Sequence, residues 1–138
     1  MSRASIAGLI ALLCGCGAAA PTDDFEAIRE EVCAGRYEAA IPKLKAYRGP
    51  EESRAGLFLG KAYAATGDYA AARAAWEAVV RNHPGSLEDH KCRYKLAWLS
   101  FIEGDEAEAL ASFESLASEP DGPLAAEATA FAAYLRER

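Results

Sequence analysis

Apolar side chains recur at three- and four-residue steps along most of the chain, the spacing that gathers them on one face of an α-helix. The steps are punctuated at regular places. Three segments align on a glycine: Gly35-Arg36-Tyr37-Glu38-Ala39-Ala40, Gly67-Asp68-Tyr69-Ala70-Ala71-Ala72 and Gly104-Asp105-Glu106-Ala107-Glu108-Ala109. Nine residues past each glycine stands a large apolar residue, Leu44, Trp76 or Phe113. Twelve past it stands another, Tyr47, Val79 or Leu116, and eight before it come Ala27, Leu59 and Leu96. The glycines are 32 and 37 residues apart, and Pro50, Pro84 and Pro120 follow the three helix-like runs.

This pattern predicts seven helices, at about 23–34, 37–48, 52–66, 69–82, 87–103, 106–118 and 124–137. Each glycine breaks a helix and can take the left-handed conformation of a C-cap. Asp68 and Asp105 can N-cap the helix that follows. The alanine five residues past each glycine lets two helices approach closely, and each proline ends a hairpin. A hairpin of this kind leaves one apolar side open, so hairpins must stack. The last predicted helix carries Leu124, Ala128, Phe131 and Leu135 on one face, which suits a cap closing the end of a stack. Arg136 and Arg138 suit its C-terminus. Alanine dominates the apolar residues while Val and Thr are scarce, so composition also favours helix over strand. The expected fold class is all-α, and 138 residues leave room for one domain.

The repeated residues resemble the tetratricopeptide repeat (TPR) family. The middle copy carries the resemblance best: Leu59-Gly60, Tyr63, Gly67-Asp68-Tyr69, Ala72, Trp76 and Pro84 stand where the family places Leu-Gly, Tyr, Gly-Asp-Tyr, Ala, Phe and Pro. The third copy keeps Leu96, Ala97, Gly104-Asp105, Ala109 and Phe113, with Ser100 in place of Tyr. The first is shorter, has Glu31 in place of Tyr, and carries Pro42 inside its second helix. The resemblance implies a right-handed helical solenoid of about three hairpins, near 23–50, 53–86 and 90–123, closed by a cap helix at 124–137. The spacing also looks like the TPR units of Gram-negative envelope lipoproteins and Tol–Pal coordinator proteins.

In that family the first helix of each hairpin lines a groove that holds peptides or helices. The matching positions here are Phe25, Arg29, Arg54, Leu57, Lys61, Lys91, Tyr94, Trp98, Phe101 and Ile102. The set holds four basic residues, no acid, and an aromatic cluster, and aromatics with Arg are common interface anchors. It implies a protein or peptide partner with apolar residues and net negative charge. The family's carboxylate clamp also needs Asn side chains; only Lys91 and Lys95 resemble it, so a clamped acidic chain terminus is not expected. In a short solenoid Tyr94, Trp98 and Phe101 could instead pack against the cap helix. The implied role is a non-catalytic scaffold or adaptor, or else a structural accessory subunit of an envelope complex for secretion, outer-membrane assembly or cell-wall work.

The N-terminus adds a location. Arg3 precedes the apolar or small run Ile6–Leu13, which is too short to span a bilayer but fits the core of a signal peptide. Leu13-Cys14-Gly15-Cys16 resembles a bacterial lipobox. Residues 1–15 are therefore expected to be removed, Cys16 to carry lipid, and 16–22 to tether the domain. By resemblance to the sorting rule of Gram-negative envelopes, Gly17 rather than Asp after the cysteine implies the outer membrane, facing the periplasm. Cleavage as an ordinary secretory signal near Ala18–Ala20 is the alternative, as is no processing.

Charge and chemistry narrow the rest. The net charge is −6, and −7 once Arg3 leaves with the signal, which argues against nucleic acid as a partner. No phosphate-binding Gly-rich loop, nucleophile elbow or His-Glu-x-x-His motif occurs. His83, His90 and Cys92 are too few and too widely spaced for structural zinc, so neither metal, cofactor nor enzyme activity is expected. Cys33 and Cys92 would lie in first helices separated by a whole repeat, and are expected to be buried or partly buried free thiols. The acid pairs Asp23-Asp24, Glu30-Glu31, Glu51-Glu52 and Glu88-Asp89 are expected to be solvated helix starts, favoured by the helix dipole.

Overall fold

In the computed structural model of the chain, which describes residues 24–138, the aligned glycines do the same work three times. Gly35, Gly67 and Gly104 all have positive φ, at 79°, 85° and 89°. Behind each, the same two hydrogen bonds close the helix end. For Gly67 they run from its own N–H to the Ala64 carbonyl at 3.1 Å and from the Asp68 N–H to the Tyr63 carbonyl at 2.9 Å. This is the Schellman arrangement, which returns orphan carbonyls to a partner and needs a residue without Cβ at the left-handed position.

Seven helices result among the described residues: α1 Phe25–Cys33, α2 Tyr37–Ala46, α3 Glu52–Ala65, α4 Tyr69–Asn82, α5 Leu87–Ile102, α6 Glu106–Ala117 and α7 Ala125–Arg136. All lie within two residues of their expected ends, at the scale where helix ends fray. Asp68 and Asp105 cap α4 and α6 as the sequence predicts, each Oδ1 accepting a backbone N–H at 3.1 Å, from Ala71 and Glu108. Asp105→Ala is expected to lower stability by about 1 kcal/mol in urea unfolding; an unchanged midpoint would mean the cap bond is not held in solution. Pro42 sits inside α2, but both it and Glu38 are exposed, so water can reach the carbonyl that has no N–H to bond there.

Each helix packs on its neighbours in the chain, and in addition α1 contacts α3, and α3 contacts α5. The first helices of the hairpins thus lie side by side along one face. The core follows the same one-dimensional order. Phe25, Ile28, Val32, Ala40, Leu44 and Tyr47 of the first hairpin cluster with Ala55 of α3. Leu57, Ala72, Trp76 and Val79 cluster with Cys92 and Leu99 of α5. Ala97, Ala109, Phe113 and Leu116 cluster with Ala128, Ala132 and Leu135 of α7. Every hairpin closes its open side with the helix that follows it, which is the solenoid the repeat pattern predicts.

The linker before α5 corrects one expectation. Asp89 is buried, not a solvated helix-start acid. Its Oδ2 accepts the Gly85 N–H at 2.7 Å and its Oδ1 accepts from Arg93 Nε at 3.1 Å. Arg93 also bonds Glu119, beyond α6, and holds that carboxyl below its ordinary pKa. His90 joins the network, with Nδ1 2.7 Å from the Ser86 carbonyl and Nε2 3.0 Å from Glu119 Oε2. A buried acid needs such partners, and here they tie the linker between the second and third hairpins to the turn before the cap.

The expected signal segment at 1–15, the lipid-bearing Cys16 and the tether at 16–22 lie outside the described residues. Among the described residues no helix is long and apolar enough to cross a membrane.

Candidate functional site

The face shared by α1, α3 and α5 holds a cavity of about 450 Å³. Six of the ten groove residues named from the sequence line it: Arg29 from α1, Arg54, Leu57 and Lys61 from α3, and Lys91 and Tyr94 from α5. They meet because one helical turn separates Arg54 from Leu57 and Leu57 from Lys61, and because α3 lies between α1 and α5. Phe58, Glu88, Lys95 and Leu124 complete the lining.

A second cavity of about 280 Å³ adjoins it, sharing Tyr94 and Lys95. Trp98 and Ile102, also named from the sequence, line it together with Ala64, Tyr69, Trp76 and Leu99. Ile102 is 60% exposed and Tyr69 41% exposed, so the apolar lining opens to solvent. The site therefore has a cationic part and an apolar part that meet at Tyr94 and Lys95.

The cations are of two kinds. Arg29 and Arg54 are already paired: Arg29 Nε lies 2.7 Å from Glu26, and Arg54 lies 3.2 Å from Glu51 and 3.7 Å from Glu26. Lys61, Lys91 and Lys95 have no carboxylate within ion-pair distance among the described residues. Lys61 stands 5.3 Å from the centre of the Phe58 ring and Lys95 5.8 Å from that of Trp76. Burial, and then the neighbouring charges of Lys61 and Lys91, push the Lys95 ammonium below its ordinary pKa. A half-buried ammonium beside like charges is a group that an incoming anion would stabilise.

Two of the expected groove residues lie elsewhere. Phe25 is fully buried in the first-hairpin core, edge-on to Tyr47 and Phe58 at 5.8 Å each. It belongs to the stripe of Phe25, Ile28 and Val32, and Arg54 covers its ring from outside. Phe101 lines neither cavity; its ring packs on Trp98 at 5.8 Å and Phe131 at 5.5 Å. For the Tyr94–Trp98–Phe101 cluster as a whole, the cap-helix arrangement prevails. Trp98 lies 4.1 Å from Phe131 of α7 and 6.0 Å from Phe113, and Tyr94 lies 5.3 Å from Phe113. These rings are nevertheless only partly buried, and the free edges of Tyr94 and Trp98 are what line the cavities. Leu57 is buried too, and offers the cavity one edge while its carbonyl accepts from Trp76 Nε1 at 3.1 Å.

The sequence did not mark Phe58, Tyr69 or Trp76 as part of this face. Phe58 adjoins the groove position Leu57 and is partly buried, and Trp76 occupies a core position of the repeat and is buried.

Little in the described residues suits covalent or metal chemistry. No three His, Cys, Asp or Glu side chains among them gather into a metal-holding group. Cys92 is fully buried, and burial pushes its thiol up to about 12, so it stays protonated and unreactive. Cys33 is free but exposed, which corrects the expectation that both thiols are at least partly buried. Alkylation of native protein with iodoacetamide, followed by peptide mapping, is expected to modify Cys33 while Cys92 reacts only after denaturation. Equal labelling of the two would contradict the buried position of Cys92.

Comparison with known proteins agrees with this architecture. The family model described as tetratricopeptide repeat matches residues 25–86 and again residues 57–126. The two matches overlap on the middle hairpin, and each spans two hairpins of the stack. The searches of curated proteins and of solved structures found no match to the chain. The match covers more than half of the chain and follows the helices that the glycines and prolines delimit: the chain belongs to the tetratricopeptide repeat family.

Proposed function

We propose that this is a non-catalytic scaffold or adaptor that holds a protein partner on the face formed by α1, α3 and α5. Repeats of this family generally mediate protein–protein interaction; fold alone does not choose the partner. The observation that carries the choice of face is the cluster of Lys61, Lys91 and Lys95, three ammonium groups without an ion pair among the described residues, outnumbering the one acid of the lining, Glu88, beside an open apolar slot on a chain that is acidic overall. A partner segment with carboxylates and apolar side chains complements it, and electrostatic complementarity of this kind sets specificity and encounter rate.

The lipobox-like Leu13-Cys14-Gly15-Cys16 supports a location as well. The protein is exported and anchored in the envelope by lipid on Cys16, at the outer membrane facing the periplasm. More than one acyl chain at that residue gives stable anchoring. Labelled palmitate should enter the protein and be lost in Cys16→Ala; label that persists in the variant would exclude this anchor.

Crosslinking in intact cells tests the partner. A dominant captured protein should disappear when Lys61 and Lys91, both exposed, are changed together to Glu. A large complex indifferent to that double change would mean that the solenoid serves mainly as a structural subunit.

A further inference from the structure

The two adjoining cavities differ in chemistry but share a wall. One presents Lys61 and Lys91, the other Trp98 and Ile102, and Tyr94 and Lys95 belong to both. We propose that they form a single two-part site for an internal stretch of a protein partner, with carboxylate side chains against Lys61, Lys91 and Lys95 and an adjacent large apolar side chain in the slot beside Ile102. This rests on the groove being the binding face, and adds which motif that face selects.

Three features favour carboxylates within a chain over a carboxylate at its end. The unpaired ammonium groups are spread over two helices, with Lys91 and Lys95 one turn apart on α5 and Lys61 on α3. Ammonium groups are single point charges that suit several acidic side chains, whereas one terminal carboxylate is best held by a fork of donors on its two oxygens. No amide side chain occurs in the lining of either cavity. The slot also opens to solvent through exposed Ile102 and Tyr69, so a chain can run on past it.

The slot decides between a peptide and another polyanion. Nucleic acid or phosphate would be held by the lysines alone, and would gain against a net charge of −6 only locally. An acidic residue beside a large apolar one uses both parts. Lys95 is the junction. Burial and its like-charged neighbours destabilise its charge in the free protein, so a carboxylate placed there relieves more than one placed on a fully solvated lysine.

The test uses the full chain and a fluorescent ten-residue peptide, acetylated and amidated, with Glu-Glu-Phe at its centre and Gly and Ser elsewhere, followed by anisotropy. Changing both Glu to Gln, or the Phe to Ala, should each weaken binding about tenfold or more. Lys95→Gln should weaken it about tenfold, and so should Lys61→Gln, at an exposed position. Ile102→Ser, also exposed, should weaken the Phe peptide several-fold and leave the Ala peptide unchanged. Freeing the peptide's C-terminal carboxylate should change affinity less than about twofold. Absence of binding at about 1 mM peptide, binding that requires the free C-terminus, or equal displacement by a single-stranded oligonucleotide would each overturn the proposal. Dependence on Lys61 and Lys95 without dependence on Ile102 or the Phe would overturn the two-part site and leave the groove standing. Peptide binding indifferent to all of these side chains would remove the groove as well.

Discussion

Phe113→Ala is expected to lower the stability of the domain by about 4 kcal/mol, the usual range for emptying a fully buried phenylalanine site. Phe113 has no exposed surface and meets three rings from two other helices: Tyr94 at 5.3 Å, Trp98 at 6.0 Å and Phe131 at 4.8 Å. These rings join α5, α6 and α7, so the void would fall where the cap helix is held. Apart from Leu110, Leu116 and Leu135, the surrounding side chains are aromatic or alanine, and close packing lets them fill the void only in part. Denaturant unfolding reads the loss, and Trp98 fluorescence should report earlier exposure of the cap end than of the whole. A loss below about 1 kcal/mol would mean that α7 is not docked as described.

Gly60→Ala is the second large effect, and its sign is instructive. In the middle of α3 the change should help, because alanine is the better helix former by about 1 kcal/mol. Packing opposes it. A Cβ on Gly60 would land on the indole of Trp76 at its Nε1 edge. That indole is buried and bonded to the Leu57 carbonyl, so it cannot swing aside without leaving a buried N–H unpaired. Overpacking costs about 1–3 kcal/mol, and an unsatisfied buried donor about 1–3 kcal/mol more. The balance is a net loss of about 1–5 kcal/mol after the gain in propensity is subtracted. Increased stability in thermal or urea unfolding would show that Trp76 has room to move. Because Trp76 also walls the apolar slot, the variant should weaken binding of the Phe-containing peptide more than that of its Ala counterpart.

The fold was largely written in local signals. A glycine that ends one helix, an aspartate that starts the next and a proline that ends the hairpin all act within a few residues. Three copies made the signals reinforce one another. Core positions such as Ala72, Trp76, Ala109 and Phe113 followed from the same register. What stayed hidden depends on partners far apart in sequence. Asp89 looked like a solvated helix-start acid because its position at the start of α5 was the only local signal, whereas the network that buries it runs through Arg93 to Glu119, 26 residues beyond Arg93. Cys33 and Val32 are neighbours in sequence, yet about 100° of helical rotation puts one in solvent and the other in the core.

The candidate site was legible in part for the same reason. Carrying family positions onto this chain found Arg29, Arg54, Lys61, Lys91 and Tyr94, because helix register fixes their face. It misplaced Phe25, whose apolar stripe with Ile28 and Val32 outweighs its repeat position. Phe101 was drawn away by Phe131, a ring on the cap helix 30 residues later. Which lysines keep a counterion could not be read from spacing. Glu26 and Glu51 pair with the two arginines, which leaves Lys61, Lys91 and Lys95, with the single acid Glu88, as the lining charges without an ion pair among the described residues.

A photo-reactive amino acid placed at single positions tests the binding face most directly. Positions 61, 91 and 102 lie on the proposed face; positions 81 and 111 are exposed on the second helices of their hairpins. Irradiation in cells should capture the same partner from 61, 91 and 102, and none from 81 or 111. Capture from 81 and 111 with none from the lysine face would contradict groove binding outright.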